Sequence, residues 1–187
     1  MSRRAAALVL AVTLVAGGAA LFWLRRGESP PVPGAPPPGP ARQPTETVVL
    51  YFPGEPGLLY AERREVPAAA SEAARLRAAV AALLAGPQRA GLEAPLPAGV
   101  EVAGVHVAAN QVAYVDLRSP DASPPPPAGS TRERLIVYSL VDTVLLNARE
   151  ARRVVVLWNG TQPTSFAGHL DTSRPLAAST ELLAERP

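Results

Sequence analysis

Eight prolines crowd into residues 28–44: Pro30, Pro31, Pro33, Pro36, Pro37, Pro38, Pro40 and Pro44. Proline fixes φ and has no N–H, so such a run can neither continue a helix nor join a sheet ladder. It favours polyproline II, and its seventeen residues reach up to roughly 50 Å. The 187-residue chain is therefore expected to divide around it. The boundaries are an anchor at 1–27, a Pro-rich linker at 28–45, a folded domain at 46–176 and a flexible tail at 177–187.

Residues 5–24 carry no charge. Twenty residues at helical rise span roughly 30 Å, the thickness of a bilayer core. Arg3 and Arg4 precede them, Arg25 and Arg26 follow, and Phe22 and Trp23 stand at the far end, where aromatic rings prefer the headgroup layer. A cleaved signal peptide is the competing expectation. Its apolar region is usually shorter, and here Leu21–Leu24 directly follow the small residues a peptidase would need. An uncleaved single-pass anchor is favoured, with a short N-terminal tail inside and the folded body outside the cytoplasmic membrane.

Charge follows the same division. Residues 1–44 hold five arginines against Glu28, a net +4, and the remaining thirteen arginines face fifteen acids, a net −2. The basic pI belongs to the N-terminal segment. A slightly acidic body argues against nucleic acid as a partner. The chain has no Cys, which excludes disulfides, thiolate metal sites, a cysteine nucleophile and a lipid-modified N-terminal cysteine. It also has no Lys, which excludes Schiff-base chemistry and a phosphate-loop lysine. With 48% apolar residues the body can form a packed core.

Patterning predicts β, β, α, β, β, α, β. Thr47–Phe52 is β-prone, and Leu58–Val66 is a second extended stretch. Ala73, Leu76, Val80, Leu83 and Leu84 recur at helical spacing, introduced by Ser71 and stopped by Gly86-Pro87. Val100–Val107 and Val112–Leu117 form a strand pair around Asn110-Gln111. Ser130-Thr131-Arg132-Glu133 matches a capping box, with Ser130 as N-cap and Glu133 reaching back. The helix it opens, to about Asn147, is apolar around much of its girth and should be the more buried one. Arg153–Trp158 is a strand followed by the turn signal Asn159-Gly160. Ser165–Phe166 is a candidate short return strand, and the tail from Ala177 a candidate frayed helix. The expected class is α+β, with two helices packed on one face of a mainly antiparallel sheet.

Catalytic signatures are sparse. His106 and His169 are the two histidines, too few for the three or four converging ligands of a metal site. Ser165, His169 and Asp171 contain the residue types of a nucleophilic triad. They lie within one short segment and lack a nucleophile elbow. Asp116 and Asp142 are candidate acids, but no spacing pairs two carboxylates across a cleft. Asp142, on an otherwise apolar helix, is expected to be partly exposed or bonded to a neighbouring turn. No cofactor motif is present, so neither cofactor nor metal is expected and the protein is read as noncatalytic.

An ordered set of short segments carries a family resemblance. It runs through Val49-Leu50-Tyr51-Phe52, Leu59-Tyr60-Ala61-Glu62-Arg63-Arg64-Glu65-Val66, Ala82-Leu83-Leu84-Ala85-Gly86-Pro87 and Pro95–Val100. It continues through Ala113-Tyr114-Val115-Asp116-Leu117, Val137–Thr143, Val154–Gly160 and Gly168-His169-Leu170-Asp171. Together these cover roughly residues 47–176, and in this order they resemble the GerMN domain of sporulation and spore-germination proteins. The resemblance implies a noncatalytic extracytoplasmic domain, similar in fold to ring-building motifs, with two helices on a three-stranded sheet.

The expected function is thus a membrane-anchored binding or assembly domain, making contacts with an envelope protein or with its own copies. Candidate interaction residues are Tyr60, Arg63, Arg64, Asp116, Asp142, Trp158, His169 and Asp171. The alternative is a peptidoglycan-contacting module or hydrolase accessory, with Tyr51, Tyr60, Tyr114 and Trp158 as stacking groups.

Overall fold

The computed structural model describes residues 44–185; the expected anchor and most of the Pro-rich linker lie outside them. Among the described residues, no helix is long and apolar enough to cross a membrane. The element order is β1 (Thr45–Gly54), β2 (Leu58–Pro67), α1 (Glu72–Leu84), β3 (Glu101–Val107), β4 (Val112–Arg118), α2 (Ser130–Asn147), β5 (Arg153–Trp158) and a short 3-10 turn at Thr180–Leu182.

The class is α+β, but the strands do not join into one sheet. β1 and β2 form an antiparallel hairpin from Thr45↔Pro67 to Gly54↔Leu58. The second sheet is β3-β4-β5, antiparallel between β3 and β4 and parallel between β4 and β5. The parallel pair follows from α2, which carries the chain back so that β5 runs alongside β4. The three-stranded part agrees with what the resemblance implies. The separate hairpin corrects the expectation of one mainly antiparallel sheet.

Local turn chemistry acts where expected. The Ser71 side chain accepts from Ala74 N at 3.2 Å and caps α1. Gly86, at φ +88°, turns the chain away after it. Asn159 and Gly160 both have positive φ, and Trp158 and Thr161 bridge across them, the geometry of a tight hairpin turn.

One core joins both sheets and both helices. Leu50 and Phe52 of β1, Leu76, Val80 and Leu83 of α1, Val115 and Leu117 of β4, and Val137, Val141 and Val144 of α2 are all buried in it. Truncating any of the leucines to alanine costs about 2–5 kcal/mol, because surrounding side chains only partly collapse into the space. A smaller cluster covers the hairpin's other face, where Tyr51, Leu59 and Leu135 meet Leu182 and Leu183 of the C-terminal segment. The frayed helix expected from Ala177 is instead this short turn, docked by Leu182 and Leu183 and by Ala184 N donating to Leu59 O at 2.9 Å. Likewise, the expected return strand at Ser165–Phe166 is a single bridge, Ser165↔Asp171.

The outer edge of β1 is closed mainly by side chains, with one backbone bridge at its end, Gly54↔Leu92. Asn147 accepts from Val49 N at 2.9 Å and donates to Val49 O at 2.6 Å. Thr143 Oγ1 accepts from Tyr51 N at 3.0 Å, and Ser139 Oγ donates to Tyr51 O at 2.5 Å. Arg75 reaches Thr47 O, and Glu93 N reaches Pro53 O. Ser139, Thr143 and Asn147 are four residues apart, so they lie in a row on α2. Buried backbone groups need such partners wherever a ladder stops.

Candidate functional site

The densest polar cluster among the candidate residues centres on one that the sequence reading cast differently. Glu133 does not close a capping box. The N-cap is Gly129, with no side-chain cap bond, and Ser130 is already the first helical residue. Glu133 points inward from the first turn of α2 and is fully buried. Its carboxylate gathers the 165–169 segment. Oε1 accepts from Ser165 Oγ at 3.0 Å and Ala167 N at 2.6 Å, and Oε2 accepts from His169 N at 2.7 Å. His169 Nδ1 stands 3.1 Å from Oε2, with half of the His169 side chain still exposed. Burial alone pushes the Glu133 pKa up. The backbone donors Ala167, Leu170 and His169 and the Ser165 hydroxyl outweigh that, leaving it below the ordinary glutamate value.

This arrangement removes the triad. Ser165 and His169 both bond to Glu133, and Asp171 turns away to accept from Ser173 N at 2.9 Å and Ser173 Oγ at 2.6 Å. Those Ser173 bonds hold the Asp171 carboxyl below its usual range. The cluster fixes a loop, with the Ser165 hydroxyl bonded to Glu133 and not to His169.

Asp142 sits on the same helix and is also fully buried, so of the two expectations, partial exposure or a bond to a neighbouring turn, the second holds. It has one donor, Ser179 N, at 2.9 Å to Oδ1, while Oδ2 has no partner. Burial pushes its pKa up to about 7 against that single lowering bond. Burial and the nearby Asp142 carboxylate also raise the Tyr51 phenol.

The remaining candidates are scattered. Trp158 is buried, donates Nε1–H to Ser123 O at 2.7 Å and meets Phe166 edge-on at 5.4 Å. Asp116 accepts from Gly160 N at 2.9 Å and so holds the Asn159-Gly160 turn. Tyr60 donates its hydroxyl to Glu55 O and lies under the Arg89 guanidinium, 5.4 Å from the ring centroid. Arg64 pairs with Glu62 and reaches Gly86 O at 2.9 Å beyond α1. Glu62 also accepts from Gln88 N and Arg89 N, each at 3.0 Å. Burial opposes the Glu62 charge, and Arg64 with these donors brings its pKa below the ordinary value. Arg63, the exposed one of the three candidates on β2, has no side-chain hydrogen bond among the described residues, and His169 and Asp171 are exposed as well.

Glu62 and Glu72 were not singled out from sequence, yet they work as Glu133 does. Glu72 at the start of α1 accepts from Arg149, Glu150 and Ala151 N–H groups at 3.0–3.1 Å, pinning the loop after α2. Nothing local in the chain marks this, because donor and acceptor are far apart in sequence. A depression beside it is lined by Glu46, Ser71, Glu72, Arg75, Arg149 and Glu150, but Arg75 and Glu46 pair across it at 2.5 Å. Among the described residues, no three His, Asp or Glu side chains converge as a metal ion would require.

The fold and these clusters define an α+β domain in which buried carboxylates tie loops to helices and strands. The chain belongs to the Germane family, described as sporulation and spore germination, whose model matches residues 49–164, more than half of its length. Solved structures share the fold. The tandem GerMN domains of the sporulation protein GerM from Bacillus subtilis align at TM-score 0.59 with 22% identity, covering 72% of this chain and 46% of that one. The first GerMN domain of the same protein aligns at 0.52 with 22% identity, over 73% of this chain and 99% of that one. A lipoprotein candidate from Clostridium perfringens aligns at 0.52 with 18% identity, over 71% and 87%. No curated protein matches the sequence.

Proposed function

We propose that this protein is a noncatalytic docking domain, held outside the bacterial cytoplasmic membrane by its N-terminal apolar segment and acting through protein contacts in sporulation or germination. The observation that carries this reading is the use of the polar groups. Glu62, Glu72, Glu133, Asp116 and Asp171 are each committed to holding a turn, a loop or a strand. A catalytic acid or base needs a path to substrate, and Asp142, the one strongly shifted carboxyl among the described residues, is buried. The family and the lipoprotein candidate among its structural neighbours support the envelope setting.

The test is made in intact cells carrying the tagged full-length chain. External protease should remove the folded domain, and crosslinking should recover an envelope protein. A protected domain would overturn the location. Release of muropeptides from purified cell wall would overturn the noncatalytic reading. Retention on cell wall without release would favour a peptidoglycan contact. Tyr51 and Trp158 are buried, so Tyr114 and the Arg89-covered Tyr60 are the stacking groups left for it.

A further inference from the structure

The two edges of the β1–β2 hairpin are treated differently. In an antiparallel pair, directly opposed residues turn their backbone groups either toward each other or both away. Val49 and Tyr51 face away from β2, toward α2, so their partners Arg63 and Ala61 face away from β1. Leu59 obeys the same parity, because its carbonyl accepts from Ala184 N on the outer side. Beyond that contact, no described residue meets the outward N–H and C=O groups of Ala61, Arg63 and Glu65. All three residues are exposed. An open strand edge is a template for a further strand.

We propose that this edge of β2 pairs antiparallel with β2 of a second copy of the chain, about a two-fold axis at Arg64. The proposal deepens the docking reading above by naming one partner and its surface. Backbone parity allows only odd residues to bond across the new edge. With the axis at Glu62, Glu65 would need Leu59, which Ala184 already occupies. An axis at Arg63 opposes two like charges, which is unfavourable. With the axis at Arg64, Arg63 of each copy faces Glu65 of the other, giving two opposite-charge pairs in hydrogen-bonded positions. Ala61 then donates to Pro67 O, and Pro67, lacking an N–H, ends the ladder. The result is a four-stranded sheet across the dimer, with an isologous interface. One short edge buries less than a stable dimer needs, so the association is reversible.

The chain has no cysteine, so replacing the exposed loop residue Asp121 with Cys supplies a single labelling site. Donor- and acceptor-labelled full-length chains are mixed in mild detergent at rising concentration and energy transfer is read. Transfer should rise with concentration. Arg63→Glu or Glu65→Arg alone should weaken association roughly tenfold or more, since each turns both attractive pairs into repulsive ones. The double exchange should restore it to within about threefold of the original. Absence of transfer in the parent chain, indifference to the single exchanges, or failure of the double exchange to rescue would each overturn the proposal. Melting temperatures of the variants verify that the fold persists. Protease access in cells reads location separately, so either reading can fail alone.

Discussion

Glu133 and Asp142 stand nine residues apart on one helix, and neither is exposed to solvent. Their charges are settled in opposite directions. Glu133 meets an irregular loop that turns several N–H groups and a hydroxyl toward it, and its pKa falls below the ordinary glutamate value. Asp142 meets one N–H, leaves Oδ2 without a partner and rises to about 7. Burial opposes charge at both sites. The number of donors brought by the packed segment decides which carboxylate stays ionised. The loop at 165–169 is therefore held by a charge, and the C-terminal segment at Ser179 by a group near its titration point.

The largest expected effect is at Glu133. Glu133→Ala strands the Ala167, His169 and Leu170 backbone donors and the Ser165 hydroxyl and opens a space, and should cost about 3–4 kcal/mol in urea unfolding at pH 7. A loss under 1 kcal/mol would mean that the loop does not depend on the carboxylate. Asp142→Asn should do the reverse. The amide carbonyl still accepts from Ser179 N without burying a charge, so the variant should gain about 2 kcal/mol over the parent at pH 8, less at pH 5 and little below about pH 4. Loss of stability at pH 8 would contradict the raised pKa.

The pH dependence of the parent chain carries both signs. A depressed folded pKa gives Glu133 a contribution present above its unfolded value, near 4.5, and lost as pH falls through the folded one. A raised folded pKa gives Asp142 a contribution present below its unfolded value, near 3.8, and lost as pH rises toward and through about 7. Stability attributable to this pair should peak near pH 4, between the two unfolded values, and Asp142→Asn should flatten only the slope above it. The smallest effect is at Ser165. Ser165→Ala removes one of the Glu133 donors and should cost about 1 kcal/mol at pH 7 in the same assay.

Much of the architecture is legible along the chain because it rests on neighbours. Helical spacing of Leu76, Val80 and Leu83, the Ser71 cap, the Gly86 stop and the Asn159-Gly160 turn all follow from contacts within a few residues. The candidate residues fared differently. Trp158 and Asp142 are buried, while Asp116, Asp171 and Arg64 serve turns and neighbouring strands. The Ser130–Glu133 spacing satisfied a local motif, but a stronger set of donors, more than thirty residues away, claimed the carboxylate. One signal went unused. Small polar residues at Ser139, Thr143 and Asn147 on an apolar helix form a row that can satisfy a strand edge.

From composition and order alone come the domain's α+β class, its element succession, its lack of thiol and amine chemistry and its family. Those depend on residue type and short spacing, which folding does not alter. The division into a hairpin and a mixed sheet, the fate of each carboxylate and the contrast between a sealed and an open strand edge emerge only on packing. Each depends on which distant backbone groups arrive beside a given side chain, and hydrogen bonding and burial, unlike propensity, are properties of that arrival.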